Sequence, residues 1–360
     1  MSFKYSISVI IPFYNSSLHI KNCIENLIKQ DFDEPFEIIM INDGSKDNSL
    51  KKLKEFKNNL EIKLLTNKSN YGPAFARNLG IKEAKGEYLF FLDVDDKIEK
   101  NTLSYLFNFT KQRKFDLVFC DRKWIENSKN LRENKYCYHS RKIFQLNDIK
   151  KEMKDKFYNP LYSVGLFQLT GRLIKRSVIQ KNKILFEKKL RYLEDEAFEW
   201  DIVGSIKNAL YLRKQLYSYY FNNNLNTALS IGISKNYDVN NFDIVKNHIE
   251  KALIKKKFKT KEILEISNQG YIFLIISALI SISRSIKLGK IKYKTGISKR
   301  TNLIKKILKK KNLNKALEIY KISKNESTEI VQNLKSKSLR LLSEACDKRA
   351  QKIIKIRRAN

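Results

Sequence analysis

The sequence predicts an α/β fold built on a mostly parallel central sheet with helices on both faces. Residues 6–121 alternate short apolar runs with segments of helical periodicity, which is the pattern of repeated βαβ units. The apolar runs are rich in β-branched residues and end at polar turns, as strands buried on both faces do. A tyrosine-rich, strand-like segment at 210–221 is followed by helical periodicity. We therefore predict a Rossmann-like domain over 1–235 and a mainly helical region over 236–360.

The elements of the first domain are predicted in order along the chain. The strands are ISVIIP, EIIMIND, EIKLLTN, YLFFLD and DLVFCD, and the helices between them are LHIKNCIENLIKQ, DNSLKKLKEF, PAFARNLGIKEA and NTLSYLFNFTKQ. Residues 122–160 are predicted to be irregular. From Gly171 we predict a helix, an extended segment and a second helix that begins near Glu194.

Composition excludes several classes of protein. With 42% hydrophobic residues, 11 Gly, 4 Pro and 4 Cys, the chain is neither disordered nor collagen-like nor a disulfide scaffold. The cysteines, which form no C-x-x-C pair and so favour a reducing cytoplasm, are Cys23, Cys120, Cys137 and Cys346. Pro12 interrupts the N-terminal apolar run, and the apolar stretch Tyr271 to Ile282 is shorter than a spanning helix. We therefore expect a soluble or peripheral protein.

The basic charge is concentrated in the C-terminal third. Of the formal net charge of +34, residues 251–360 carry +23, with 30 Lys and Arg against 7 Asp and Glu. Two runs there, 302–320 and 329–356, place apolar residues at helical spacing with Lys and Arg on the other side. Such helices fit an anionic membrane face, or ordinary helices with a solvated Lys-rich face. Nucleic acid is disfavoured because aromatic residues for base stacking are almost missing.

Acidic residues dominate the turn after the fourth predicted strand. In FFLDVDD, three carboxylates within four positions repel each other unless a cation lies among them or they face water. Mg²⁺ and Mn²⁺ prefer oxygen ligands and combine one or two carboxylates with substrate phosphate. The motif therefore indicates a cation and a phosphate-bearing ligand, although D-x-D-D alone is also typical of a surface turn.

Three further segments place polar residues where ligands bind in open α/β sheets. In NYGPAFARNLG, Gly72 and Pro73 begin a helix, and Arg77 suits a diphosphate or a surface position. In INDGSKDNS, Asp43 fits a base or ribose hydroxyl, or a turn that caps the next helix. In LEDEAF, a carboxylate fits a general base, or a helix start favoured by the helix dipole. Neither G-x-G-x-x-G nor a P-loop motif occurs in the sequence.

Taken in order, these segments resemble the family 2 glycosyltransferases, which have the GT-A fold. The resemblance covers roughly residues 5–230, and the C-terminal third matches no family motif. Asn42 stands where the family often has Asp, and Leu193 stands where it often has Gly. The matching segments are SVIIPFYN, EIIMINDGSKDNS, NYGPAFARNLGIKEAKGEYLFFLDVDD, LEDEAF and LYSYYFNNNLNTAL.

The resemblance implies a role for each matching position. Asp43 would bind the base, Arg77 would lie near base and diphosphate, and Asp195 would be the catalytic base with Glu194 beside it. The other positions implied in nucleotide-sugar binding are Pro12, Tyr14, Asn15, Gly44, Ser45, Gly72, Asp93, Val94 and Asp95. The positions implied in binding Mn²⁺ or Mg²⁺ are Asp93, Asp95 and Asp96.

The implied reaction is metal-dependent, inverting transfer of a hexosyl or N-acetylhexosaminyl group from a nucleotide diphosphate sugar, expected to be a UDP-sugar. The expected acceptor is a hydroxyl of a glycan or lipid-linked molecule in bacterial capsule or lipooligosaccharide assembly. The expected location is the cytoplasm, or the cytoplasmic face of the inner membrane. One alternative is an inactive glycosyltransferase-like protein that binds polyanions or a protein through its basic helices. A nucleotidyltransferase is disfavoured by the match at LEDEAF.

Overall fold

The computed structural model describes residues 4–56, 61–126, 129–130, 138–158, 165–220, 238–289, 291–322 and 327–359. The chain divides into two compact units. Unit 1 comprises residues 1–152 and 162–221, and unit 2 comprises residues 153–161 and 222–360. The domain boundary predicted near residue 235 lies outside the described residues.

Unit 1 contains a mixed sheet in the order β3-β2-β1-β4-β9-β6-β10-β5, with β7 paired to β6 and β8 to β10. Strands β1 to β4 are mutually parallel, as predicted, and β10 is parallel to β6. The bounds are β1 (Tyr5–Phe13), β2 (Phe36–Asn42), β3 (Ile62–Thr66), β4 (Gly86–Phe91), β5 (Lys97–Ile98), β6 (Leu117–Glu126), β7 (Lys129–Asn130), β8 (Lys142–Phe144), β9 (Arg172–Lys175) and β10 (Ala209–Tyr220).

The predicted helices between the first strands are confirmed. They are α1 (Ile20–Ile28), α2 (Ser49–Lys54), α3 (Pro73–Glu83) and α4 (Thr102–Gln112), followed by α5 (Leu146–Asp155), α6 (Arg176–Asn182) and α7 (Glu194–Ser205). Burial of β1 accounts for the apolar sequence of its core: Ile7, Val9 and Ile11 join a cluster with residues of α1. The GT-A-type arrangement of a mostly parallel sheet with flanking helices is thus present in unit 1.

Two predictions in the middle of the chain are wrong. Helix α5 lies within the segment predicted to be irregular, and its buried Ile149 and Met153 are four residues apart, which is a helical spacing. The segment after Gly171 begins as the short strand β9, which runs antiparallel between β4 and β6, before α6 starts. A strand of four residues that passes directly into a helix is too short to be separated from it by periodicity.

From Asp238 onward, the described residues of unit 2 are mainly helical, as predicted. The helices are α8 (Asn240–Lys255), α9 (Thr260–Lys287), α10 (Tyr293–Leu308), α11 (Asn312–Ile319), α12 (Thr328–Lys335) and α13 (Leu339–Ala359). Each of the two runs predicted as continuous helical patterns is divided into two helices. Lys337 adopts a positive φ of 55° between α12 and α13, and no glycine or proline marks that break in the sequence.

Helix α9 forms the centre of unit 2 and packs against α8, α10, α11 and α13. By length and composition it is the one helix of the described residues that could cross a membrane, but 67% of its most apolar stretch is buried inside the protein. The helix extends beyond the apolar stretch Tyr271 to Ile282 at both ends, and its N-terminal extension also contains buried polar residues. The amide of Gln269, for example, exchanges hydrogen bonds with the backbone of Lys321. These contacts are those of a core helix.

The apolar faces of the basic helices are used inside unit 2. Leu303, Ile304 and Ile307 of α10 are buried, and so are Leu313 and Leu317 of α11. The lysines between them, such as Lys305 and Lys306, are exposed. These apolar residues therefore pack inside unit 2, and the lysines between them form a solvent-exposed face.

Candidate active site

The polar residues that the sequence analysis singled out meet at one edge of the sheet. Loops follow the carboxyl ends of the parallel strands β1, β2 and β4, and these ends lie side by side because β1 pairs with both β2 and β4. Helix α3 begins next to the loop after β2, and α7 begins next to α3. The candidate site is therefore built from segments distributed over residues 12 to 195.

The loops after β1 and β2 are bonded to each other. The backbone N of Asn15 donates to Ser45 Oγ at 3.0 Å, and the backbone N of Lys46 donates to Asn15 Oδ1 at 2.8 Å. Asn42, which departs from the family pattern, accepts a 2.9 Å hydrogen bond from the backbone N of Ser45. An Asn oxygen makes this bond as well as an Asp oxygen would. Pro12 is the second-last residue of β1, and Tyr14, the first residue after that strand, is partly exposed.

Asp43 connects the loop after β2 to the start of α3. Its carboxylate accepts hydrogen bonds from the backbone N of Gly72 at 2.7 Å and of Tyr71 at 3.1 Å, and from Asn67 Nδ2 at 2.8 Å. Asp43 is only 4% exposed. Gly44 next to it has φ 74°, and a Cβ there would lie 2.6 Å from the backbone carbon of Ser69, so only glycine fits this approach. In this structure Asp43 therefore holds the loop that precedes α3.

Arg77 links three distant segments of the chain. From α3, its Nη2 donates to Asp93 Oδ1 at 3.0 Å and its Nη1 donates to Glu194 Oε1 at 3.1 Å. The guanidinium also lies 5.4 Å from the ring centre of Phe186. The side chain is buried, and the pKa of Arg77 is raised by Asp93 and Glu194 against the opposing effect of burial. The guanidinium predicted to face base and diphosphate is thus engaged by two protein carboxylates.

The acidic pair at the start of α7 has two different environments. Burial and the neighbouring Asp195 raise the pKa of Glu194 to about 7, although Arg77 lowers it. Asp195 is exposed and accepts a 2.8 Å hydrogen bond from the backbone N of Glu196. Leu193 has φ 68°, a left-handed conformation that glycine adopts more easily, which agrees with the family preference for Gly at this position. Asp195 is therefore the accessible carboxylate of the pair.

The three aspartates after β4 are not equivalent. Asp93 is paired with Arg77, and Val94 is buried beside it. Burial and Asp93 raise the pKa of the half-buried Asp95, whereas His19 lowers it. Asp96 is 2% exposed; its Oδ2 accepts from the Tyr217 hydroxyl at 2.6 Å and its Oδ1 from the backbone N of Tyr220 at 2.9 Å. Burial and the two neighbouring aspartates raise the pKa of Asp96.

These differences bear on the predicted metal site. The described residues contain no group of three or more His, Cys, Asp or Glu side chains arranged to hold a metal ion, so Asp93, Asp95 and Asp96 do not form a three-carboxylate cluster. Asp96 is used instead to attach the turn after β4 to β10. Asp95 has no ion pair among the described residues, and its neighbour Asp93 is also acidic. Two carboxylates with oxygen donors suit Mg²⁺ or Mn²⁺ that is also bound by a substrate phosphate.

Several residues at this edge were not singled out from the sequence. Asn67, a partner of Asp43, directly follows β3, so the rule that polar residues at strand ends form the site could have found it. Tyr217 bonds Asp96 and also accepts from the backbone N of Asp93 at 3.3 Å, but a tyrosine-rich strand gave no reason to choose it. The exposed side chain of Arg191 lies close to Gly72: a Cβ atom placed on Gly72 would be 3.9 Å from Arg191 Cγ.

Comparison with known proteins supports the same assignment. The sequence pattern described as Glycosyl transferase family 2 matches residues 8–182. The chain is 30% identical over 263 residues to the poly(ribitol-phosphate) β-N-acetylglucosaminyltransferase TarP of Staphylococcus aureus, covering 71% of this chain and 75% of TarP. It is 28% identical over 232 residues to the uncharacterized glycosyltransferase YibD of Escherichia coli, covering 62% of this chain.

This chain spans only part of some of these relatives, namely 63% of YibD and 31% of the related S. aureus enzyme TarS. Among solved structures, residues 1–349 of S. aureus TarS in complex with UDP-GlcNAc superpose with a TM-score of 0.66 at 20% identity. That likeness covers 96% of this chain and 92% of the other, and it shows the GT-A fold. The segments around the candidate site, the fold and the similarity to TarP agree, and the chain belongs to glycosyl transferase family 2.

Proposed function

We propose that this protein transfers a sugar from a UDP-sugar to a hydroxyl group of a bacterial surface glycan or polymer, with inversion at the anomeric carbon. The observation that supports this most strongly is the ion-pair chain Asp93–Arg77–Glu194. It brings the acidic turn after β4 and the exposed Asp195 to one side of α3. The proposed transfer uses carboxylate oxygens that can bind a divalent cation and an accessible carboxylate that takes the proton of the acceptor hydroxyl.

The choice of donor rests on related proteins. The TarS structure similar to this fold holds UDP-GlcNAc, and TarP is named as an N-acetylglucosaminyltransferase. The strand order reverses between β1 and β4, so the loop after β1, with Tyr14 and Asn15, lies at a topological switch point, where nucleotides bind in open α/β sheets. The loop after β2, with Asp43 and Ser45, is hydrogen-bonded to it. We therefore propose UDP-GlcNAc as the first donor to test.

In the proposed reaction, the acceptor oxygen attacks the anomeric carbon while the bond from that carbon to the donor diphosphate oxygen breaks. The proton of the acceptor hydroxyl passes to the carboxylate of Asp195, and UDP leaves. Glu194 and Arg77 hold the start of α7 against α3 and so position Asp195. Asp93 and Asp95 would hold Mn²⁺ or Mg²⁺, which when bound supplies Lewis-acid stabilisation of negative charge on the leaving diphosphate.

The base assignment is tested by Asp195→Asn. The amide has the same shape but cannot take a proton, so transfer from UDP-GlcNAc should fall by about 10²- to 10⁴-fold. UDP affinity, measured by titration calorimetry, should change little. The matched control is Asp33→Asn, an exposed aspartate in the loop between α1 and β2, near the opposite edge of the sheet. Transfer by Asp195→Asn at the rate of the Asp33→Asn control would contradict the assignment.

We propose a cytoplasmic enzyme acting on a glycan or lipid-linked acceptor of a surface polymer, of which capsule and lipooligosaccharide are examples. Because the apolar faces of α10 and α11 are buried, attachment to an anionic membrane would be electrostatic. Replacement of the exposed Lys305, Lys306 and Lys309 by Glu should abolish salt-sensitive co-sedimentation with anionic vesicles. Unchanged co-sedimentation would exclude this surface as the attachment site.

The alternative function is an inactive protein that binds polyanions or a protein partner through unit 2. The exposed lysines of α10 favour it, because they need no catalytic role. It predicts polyanion binding with a steep salt dependence and no hydrolysis or transfer of any nucleotide sugar. Transfer that depends on Asp195 would exclude it.

A further inference from the structure

Arg122 is a half-buried arginine on β6. It lies towards the carboxyl end of β6, level with Tyr217 of β10 in the parallel register. Its Nη1 donates to Thr170 Oγ1 at 3.3 Å, and no acidic side chain of the described residues forms an ion pair with it. Its Nε is buried and has no hydrogen-bond partner there. A buried N–H group that makes no hydrogen bond lowers the stability of a fold, so packing alone does not account for this arginine.

Two aromatic rings lie beside this guanidinium. The carbon Cζ of Arg122 is 5.3 Å from the ring centre of Trp124 and 5.9 Å from that of Tyr219. The two rings are 4.9 Å apart and meet edge to face. All three side chains are half-buried. Aromatic faces next to a cation match a ligand that combines an anion with the C–H surface of a sugar or polyol.

The cluster lies on the same face of the sheet as Tyr217, which contacts the candidate active site. Residues two positions apart on a strand share a face, so Tyr217 and Tyr219 point the same way, as do Arg122 and Trp124 in the register of β6 and β10. The hydroxyl of Tyr217 contacts the turn after β4, where Asp93 and Asp96 lie. Arg122 is therefore level with the residue that contacts that turn, and it lies on β6, on the other side of β4 from the strands β1 and β2 that carry the proposed nucleotide loops.

The partner of Arg122 is held in place by the segment before β9. Gly171 has φ 74°, and a Cβ there would lie 3.3 Å from Cβ of Tyr217, so this segment approaches β10 closely. Its carbonyl accepts from the backbone N of Cys120, and Gln168 Nε2 donates to the carbonyl of Cys120 at 3.0 Å. Thr170 is thus fixed against β6, and the guanidinium of Arg122 is oriented before any ligand binds.

We propose that Arg122, Trp124, Tyr219 and Thr170 form the acceptor subsite, and that Arg122 binds a phosphate group of the acceptor. This rests on the proposed function, since it divides the site into a donor side and an acceptor side at the turn after β4. The planar guanidinium pairs with phosphate through parallel hydrogen bonds, and the rings contact the adjoining polyol or sugar carbons. The acceptor class is accordingly a sugar or polyol phosphate polymer.

Binding of a synthetic ribitol phosphate tetramer at 0.15 M salt tests the proposal. Because Arg122→Gln removes charge-assisted hydrogen bonds to phosphate, the Kd for the tetramer should rise by about 10- to 100-fold. Arg122→Lys keeps the charge but not the fork and should give an intermediate Kd. Maltotetraose, which is neutral, should bind the native protein and Arg122→Gln with equal Kd.

Lys123→Gln is the matched control, because Lys123 is the next residue of β6 and pairs with Glu99. It removes the same charge from the opposite face, so its Kd for the tetramer should equal that of the native protein. Equal losses in Lys123→Gln and Arg122→Gln would overturn the proposal by showing a non-specific charge effect. Loss of UDP affinity in Arg122→Gln with tetramer affinity unchanged would also overturn it, by placing Arg122 on the donor side.

Failure of this proposal can be distinguished from failure of the proposed function. Tetramer binding and UDP binding are measured separately on each variant. A native protein that binds UDP but binds the tetramer no better than maltotetraose would overturn the phosphate subsite and leave sugar transfer standing. A native protein that binds the tetramer through Arg122 but neither binds UDP nor turns over UDP-sugar would overturn the proposed function and leave the phosphate subsite standing.

Discussion

Arg77 in unit 1 and Arg300 in unit 2 are both buried arginines paired with acidic residues far along the chain, but their surroundings differ. Arg300 binds both oxygens of Asp347 and the hydroxyl of Ser283, and so joins α9, α10 and α13. Arg77 binds one oxygen of Asp93 and one of Glu194, beside further acids. Arg300 is thus paired with one carboxylate, whereas Arg77 is shared between two carboxylates.

We infer that the Arg300–Asp347 pair stabilises the fold, whereas the pairs of Arg77 with Asp93 and Glu194 position the residues of the candidate active site. Around Arg77, burial and Asp195 raise the pKa of Glu194, and burial and Asp93 raise the pKa of Asp95. Clustered carboxylates with raised pKa values are expected where a cationic or proton-donating ligand completes a functional site.

The largest expected effect comes from removing each arginine. Breaking a buried pair should lower the free energy of unfolding by about 2–4 kcal/mol in both Arg77→Met and Arg300→Met, because a carboxylate loses its partner. The double variants Arg77→Met with Glu194→Leu and Arg300→Met with Asp347→Leu should regain much of this stability. The free energy of unfolding of each variant is measured by chemical denaturation.

Activity then separates the two regions. Transfer from UDP-GlcNAc per folded molecule should stay lost in the Arg77 double variant and be near normal in the Arg300 double variant. Normal transfer after removal of Arg77 and Glu194 would mean that both pairs have the same structural role, and the contrast between the two regions would be wrong.

A smaller effect is expected from pH. The pKa of Glu194 is raised from 4.5 to about 7 on folding, so folded protein binds the proton more tightly than unfolded protein. Its contribution to stability is therefore complete below about pH 4.5 and is lost as the pH rises through 7, by at most about 3 kcal/mol. The free energy of unfolding of Glu194→Gln should depend less on pH. Relative to that of the native protein, it should increase between pH 5 and pH 8. A constant difference over that range would contradict the raised pKa.

Much of the fold was predictable because its signals are local. Strands β1 to β4 and helices α1 to α4 follow from periodicity and polar turns, and α7 begins at Glu194 as predicted. Short β9 and the break at Lys337 were missed. The first has too few residues for a period to be visible, and the second has no glycine or proline to mark it.

The site was predictable as a set of residues but not as a set of contacts. Polar residues at strand ends led to Asp43 and Asp93, because the sheet brings those ends together, and the acidic helix start LEDEAF led to Glu194. The engagement of Arg77 by Glu194, 117 residues away, and of Asp96 by Tyr217, 121 residues away, depends on packing of distant segments. For the same reason the sequence treated Asp95 and Asp96 as equal metal ligands, whereas only Asp96 is bonded to β10.

The most direct test is the binding of UDP with and without Mn²⁺ to the native protein, to Asp95→Ala and to the control Asp33→Ala, followed by thermal unfolding. At 100 times Kd, a ligand adds about 2.7 kcal/mol of stability. We predict a Mn²⁺-dependent stabilisation by UDP in the native protein and the control, and its loss in Asp95→Ala. Absence of any stabilisation by UDP, or an equal one in Asp95→Ala, would contradict a metal-assisted nucleotide-sugar site at this edge of the sheet.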